Sequence, residues 1–325
     1  MAKDYLTYNQ QMKAIRAKGI ACSGSADKTI LCRTGYFNLF NGFRDPFVAS
    51  VNPQTKTKSY LPGTSLSSIK AVYDFDESLR NLLLPCLTKV ESEVRVFAAY
   101  KFDCINDPRN LSWFDAKAYN RNKKTSDIIN VVSRAYSEIG RAKPGSYVEF
   151  YVNKHDSVPT WIFTKFIKFE TFINFLKIAD HALLDGLCNL YGVRDSAGRP
   201  SHDLLINTLY WVKKCRNCCA HSERFYNLVN SKGRLRQERY LLLLPPAYQR
   251  DRDQRFIDLL FYLKYFMAHR DYCALMDRVT DLLQGLQASI QPIAFDKVRS
   301  SLGIKSLLDL DTLKGNPNIK NYNAF

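Results

Sequence analysis

The feature that most constrains how this chain folds is the stretch DFDESLRNLLLPCLTKVESEVRVFAAYKF, residues 74–102. Its apolar residues recur at helical spacing, which predicts one long helix from about Asp76 to Phe102. Pro85 falls inside it. A proline removes a backbone donor and crowds the preceding turn, so the helix is expected to kink or divide there. Most of the chain reads in the same way. LTYNQQMKAIRAKGI predicts a helix from Thr7 or Asn9 to Gly19, and a second is expected over Asp27–Arg33. Further helices are predicted over Asp127–Ile139, twice between Trp161 and Gly192, from Ser201 to about Asn227, and near Arg252–Ala268, Asp271–Leu286 and Ser301–Leu313. Residues 51–68 are a loop by composition, and 142–160 read as irregular with a short extended piece. The expectation is an all-α fold: a small helical N-terminal unit, residues 1–65, and a larger helical domain, residues 66–325.

The chain has 325 residues, 46% hydrophobic and 13% aromatic, which is a globular rather than a disordered composition. No apolar run reaches the ~18 residues of a membrane span. The first residues, MAKDYLTYNQQ, lack the apolar core of a secretory signal, which predicts a cytoplasmic protein with reduced thiols. Nine cysteines, odd in number and irregular in spacing, make a poor disulfide framework. The net charge of +16 points to nucleic acid as partner, because each phosphate neutralised by Lys or Arg releases a counterion. Residues 211–240 hold eight Lys or Arg against two Glu.

That basic segment contains KKCRNCCAHSERFYN, Lys213 to Asn227. At ~100° per residue, Leu204, Thr208, Trp211, Cys215 and Cys218 share one helix face. This predicts Cys215 and Cys218, with Cys219 at the edge, as core residues. Cys215-x2-Cys218 followed by His221 has a metal-ligand spacing, but a structural zinc site takes four ligands, normally from two knuckles, and no second knuckle exists. Neither a metal nor a cofactor is expected. Cys218 and His221 lack an orienting partner for nucleophilic work. Arg216, Asn217 and His221 remain. Asn217 and His221 are neighbours at i, i+4, while Arg216 is offset from His221 by ~140°. Spacing alone leaves two readings: a phosphate clamp with a titratable imidazole, or a histidine on the surface of a basic helix.

The wider text RNCCAHSERFYN resembles the C-terminal signature of Abi-like (AbiD/AbiF-type) bacterial abortive-infection proteins. CRTGYFNLFNGFRDPF, the long helix with Glu91 and Arg95, and VPTWIFTKFIKFETFINFL are similar to that family's upstream segments, in order. The chain departs from the family at Glu170-Thr171, where glycine is usual, and at Pro85. The resemblance implies a HEPN-like helical bundle and metal-independent RNA cleavage, in which the RNA's own 2′-OH attacks the neighbouring phosphate.

Under that resemblance the catalytic residues are Arg216, Asn217 and His221, with Glu91 and Arg95 as possible support for Arg216. Imidazole exchanges protons near neutral pH, and a guanidinium binds phosphate as a fork. RNA is expected to meet Lys213, Lys214, Arg224, Lys232, Arg234 and Arg236. Only one such motif is present, so a homodimer is expected to bring two copies together. His155 and His202 are assigned to the surface, and His181 and His269 to structural roles. The alternative is an RNA-binding protein that sequesters a structured noncoding RNA without cutting it.

Overall fold

A computed structural model describes residues 5–315 apart from 110, 156, 236–247 and 249. The architecture is an all-α bundle with little sheet. Two helices open it, α1 (Tyr8–Arg16) and α2 (Gly24–Thr34), followed by a small antiparallel hairpin, β1 (Val48–Val51) and β2 (Lys58–Tyr60). The central element is α3 (Leu66–Asn106). Then come α4 (Thr125–Ile139), α5 (Tyr147–His155), α6 (Thr160–Phe166), α7 (Phe169–Ile178), α8 (His181–Tyr191) and α9 (His202–Ala220). The chain continues through α10 (Phe256–Phe266), α11 (His269–Ser289), α12 (Pro292–Ser301) and α13 (Leu308–Lys314). Among the described residues, no helix is long and apolar enough to cross a membrane.

α3 runs unbroken for 41 residues, ~60 Å at 1.5 Å per residue. Ser65 caps its start, its hydroxyl accepting from the Ser68 amide at 3.0 Å. Leu79, Leu83, Leu87, Val90 and Val94 form a fully or nearly fully buried stripe at spacings of three and four. The helix does not divide at Pro85. Pro85 and Asn81 are both exposed, so the carbonyl that loses the proline's N–H lies on the solvent side, where water can serve it. Packing outweighs the local penalty: α6, α7, α8, α9 and α11 all lie against α3.

Several boundaries differ from expectation. Residues 147–155 are helical, and the stretch from Trp161 to Gly192 forms three helices rather than two. Pro292 at the first turn starts a helix that periodicity had not revealed, and the helix expected from Ser301 begins only at Leu308. The expected helical N-terminal unit also carries the hairpin, whose second strand lies within the segment read as loop. Its buried residues, Ile15, Leu31, Phe40 and Phe47 among them, belong to the same hydrophobic core as the rest of the chain.

Candidate functional site

Helix α9 turns its apolar face inward. Leu204, Leu205, Thr208, Leu209, Trp211, Val212, Cys215, Cys218 and Cys219 are all buried. Burial pushes the thiols of Cys218 and Cys219 up to about 12 and raises that of Cys215 well above the ordinary thiol value. They are packing residues, poor thiolates at neutral pH. Among the described residues, no group of three or more His, Cys, Asp and Glu could hold a metal ion.

The outer side of the last two turns of α9 carries the polar cluster. Arg216 is half-buried, and its Nη2 meets Glu91 Oε2 at 2.8 Å. The other Glu91 oxygen accepts from Arg95, at 2.7 Å from Nη2 and 3.2 Å from Nε. Glu91 is thus a bridge between two guanidiniums. Arg95 also donates to the Thr164 carbonyl and lies 4.9 Å from the Phe172 ring centroid. Burial lowers the Arg95 guanidinium from its ordinary value, against the pull of Glu91. Arg216 lies over Phe169 at 5.7 Å, and its Nε–H is buried without a hydrogen-bond partner among the described residues. Arg216, Asn217, Lys213, Glu91 and Arg95 share the wall of a cavity of about 390 Å³ with the start of α7. The four donor-bearing side chains Arg95, Lys213, Arg216 and Asn217 on one cavity make a setting suited to an oxyanion.

The start of α7 is fixed by a buried carboxylate. Glu138 accepts from the Lys168 amide and the Thr171 hydroxyl, both at 2.7 Å. This accounts for the departure at Glu170-Thr171: Thr171 is fully buried on Glu138, and Glu170 reaches Lys213 at 3.4 Å.

Helix α9 ends at Ala220, not near Asn227. His221 is its C-cap, Ser222 adopts a left-handed φ of 54°, and Glu223 N–H returns to the Cys218 carbonyl at 3.0 Å. This is the Schellman closure, with serine where glycine is usual. His221 is exposed and sits one turn beyond Asn217, whose carbonyl accepts its N–H at 2.9 Å.

The cause of the early stop lies on α3. Asp76 is fully buried, and its Oδ1 accepts from the amides of Phe225 at 3.0 Å and Tyr226 at 2.6 Å. Arg80 pairs with Asp76 and donates to the Glu223 carbonyl at 3.2 Å. From Glu91 back to Asp76, α3 spans 15 residues, ~22 Å. A helix continued from Arg216 to Tyr226 would advance only ~15 Å and fall short. A turn followed by extended chain, at up to ~3.3 Å per residue, covers the gap. Burial pushes the Asp76 carboxyl up to about 6, partly offset by Arg80 and the two amides. This pair is not among the residues expected from sequence, although Asp76 and Arg80 repeat the i, i+4 acid–arginine spacing of Glu91 and Arg95.

The residues expected to meet RNA are dispersed. Lys214 is exposed and donates to the Val229 carbonyl at 2.7 Å. Arg224 donates to the Gly42 carbonyl, tying the loop to the N-terminal segment. Lys232 is exposed. Arg234 is a correction. It is buried and forks onto Asp258 at 2.6 and 2.7 Å while donating to the Tyr248 carbonyl at 2.9 Å, so its role is to fix its own loop. Arg236 lies outside the described residues. His181 and His269, read as structural, are exposed, whereas His202 is half-buried on Asp185 at 2.7 Å.

The protein is therefore an all-helical one in which a single long helix positions an Arg/Asn/His segment at the end of another. The pattern of the Abi-like protein family matches residues 29–227, which include α3 and the whole motif through Asn227. The chain belongs to that family, and membership suggests a role in abortive infection. Neither curated proteins nor solved structures gave a match.

Proposed function

We propose that this protein is a metal-independent endoribonuclease of HEPN type acting in abortive infection as a homodimer. The observation that carries the reading is the exposure of His221 one turn beyond Arg216 and Asn217, which open onto a common cavity. In the proposed reaction the imidazole takes the proton of a ribose 2′-OH. The 2′-oxygen bonds to phosphorus, the bond from phosphorus to the 5′-oxygen breaks, and that oxygen takes up a proton. The products are a 2′,3′-cyclic phosphate and a 5′-hydroxyl. Arg216 stabilises charge on the non-bridging oxygens, and Asn217 orients the imidazole or a phosphate oxygen. A second copy supplies the second imidazole, since one chain has a single His in the motif.

One contact favours the alternative of an RNA-binding protein that does not cut: Arg216 is already engaged by Glu91. In the nuclease reading this ion pair is the resting state, and bound phosphate displaces it. Incubation of purified protein with RNA in EDTA separates the two. The nuclease leaves cyclic-phosphate ends, and His221→Ala lowers cutting ~10²–10⁴-fold with binding largely retained. Unchanged RNA ends from wild type and variant alike, with salt-sensitive binding intact, would establish the alternative.

A further inference from the structure

A second cavity, of about 590 Å³, lies beside the first, and Arg95 and Lys165 line both. One wall is the face of α3 that carries Val96 and Tyr100, a turn apart. The other is the outer face of α6, with Trp161 and Lys165 a turn apart. Large apolar side chains on this cavity stand out in solvent: Val96 is 64% exposed, Tyr100 57% and Trp161 51%. Three aromatic residues of α5 add to the same surface. Tyr151 meets Trp161 edge to face at 5.3 Å, Lys165 lies over Tyr147 at 5.3 Å, and Lys154 lies over Phe150 at 5.0 Å.

Exposed aromatic faces interleaved with lysines, beside a guanidinium-lined cavity, suit one ligand chemistry. Bases stack on the rings while the lysines follow the phosphates. We propose that this groove is a stacking subsite for single-stranded RNA, and that Trp161 holds a base next to the nucleotide whose phosphate sits at Arg216. The proposal deepens the RNA reading above and rests on it only for the identity of the ligand. Charge favours RNA over a second protein copy. Lys154, Lys165 and Lys168 are all exposed here, and the one carboxylate lining the cavity among the described residues, Asp103, is hydrogen-bonded to Thr160. An isologous contact would place these lysines against their own copies.

The protein carries its own reporter. Of three tryptophans, Trp113 and Trp211 are buried and Trp161 is exposed. The test uses the full chain carrying His221→Ala, so that cleavage plays no part, and a fluorescein-labelled short polyadenosine RNA. Saturating RNA should quench the Trp161 emission and shield it from acrylamide. Trp161→Ala should weaken affinity on the order of tenfold with the salt slope unchanged, and Trp161→Phe should restore most of the loss. Equal affinity for Trp161→Ala and its parent overturns the proposal. So does a change in light-scattering mass with RNA affinity unaltered, which would assign the groove to contact between copies. Stacking without any cleavage by the wild-type chain leaves the subsite standing and refutes the nuclease reading. Absence of RNA binding refutes both.

Discussion

Removing the Asp76 carboxylate tests how α3 governs the motif. Asp76→Ala leaves the Arg80 guanidinium, buried to 5% exposure, without its partner, and strands the amides of Phe225 and Tyr226. Breaking a buried pair costs ~3–5 kcal/mol, and each stranded donor ~1–3 kcal/mol. The two costs overlap because they share one carboxylate, so the expected loss is about 5 kcal/mol, a large part of the ~5–15 kcal/mol that holds a domain together. Urea denaturation followed by circular dichroism measures it. Asp76→Asn keeps an acceptor oxygen for the amides and should lose far less. The double replacement Asp76→Leu with Arg80→Met removes the stranded charge but not the stranded amides, so it should recover about half of the Asp76→Ala loss. A loss below about 1 kcal/mol for Asp76→Ala, or a double variant no better than the single, would refute the clamp.

Acid should act through the same carboxyl. Asp76 is held at about 6 in the fold, against 3.8 for an ordinary aspartate, so the native chain binds the extra proton between those values. Its contribution to stability is therefore full below about pH 4 and is lost as pH rises through about 6, by on the order of 3 kcal/mol. The stability difference between wild type and Asp76→Asn, followed by urea titration from pH 4 to 7, should show that slope; a flat difference contradicts it. Ser222→Gly relieves a left-handed serine at the end of α9 and should raise stability by about 1 kcal/mol, read as a shift in Tm, with no loss expected if the turn is as described. Glu91→Ala strands the buried Arg95 and should cost ~3–5 kcal/mol in urea, whereas Arg216→Ala should cost much less because its side chain is 26% exposed. A thiol reagent should modify the exposed Cys32 and Cys104 promptly and leave Cys188, Cys215, Cys218 and Cys219 slow until unfolding, as peptide mapping would show.

The parts of this structure that periodicity exposes are those where one helix face decides the packing. α3 and α9 announce themselves through buried residues at spacings of three and four, and the inward cysteines follow from the same rule. What the sequence hides is set by contacts across 24 to 150 positions of chain. Nothing local to SERFYN indicates that its amides belong to Asp76, or that Arg95 reaches the Thr164 carbonyl. Arg234 fails as an RNA contact for the same reason: a charge run looks solvated until Asp258 is seen to take one of its members inside. Trp161 and Lys165 were within reach, being a turn apart in WIFTKF, but which side of so apolar a segment faces outward depends on α3.

The two acid–arginine pairs of α3 have different consequences for the ends of the motif. Glu91 faces the cavity at 15% exposure, shares its oxygens between two guanidiniums and can release Arg216 to a stronger anion while keeping Arg95. Asp76 has no such freedom. It is fully buried, and both its oxygens are occupied by Arg80 and two backbone amides. One end of the segment is therefore adjustable and the other fixed, with exposed His221 between them. A phosphate that draws Arg216 from Glu91 would move the guanidinium without moving the backbone that carries the imidazole. Glu91→Gln, which keeps the shape but weakens the hold on Arg216, should then raise RNA affinity and leave the pH dependence of any cleavage unchanged. A lowered affinity would mean that Glu91 orients Arg216 for phosphate rather than competing for it.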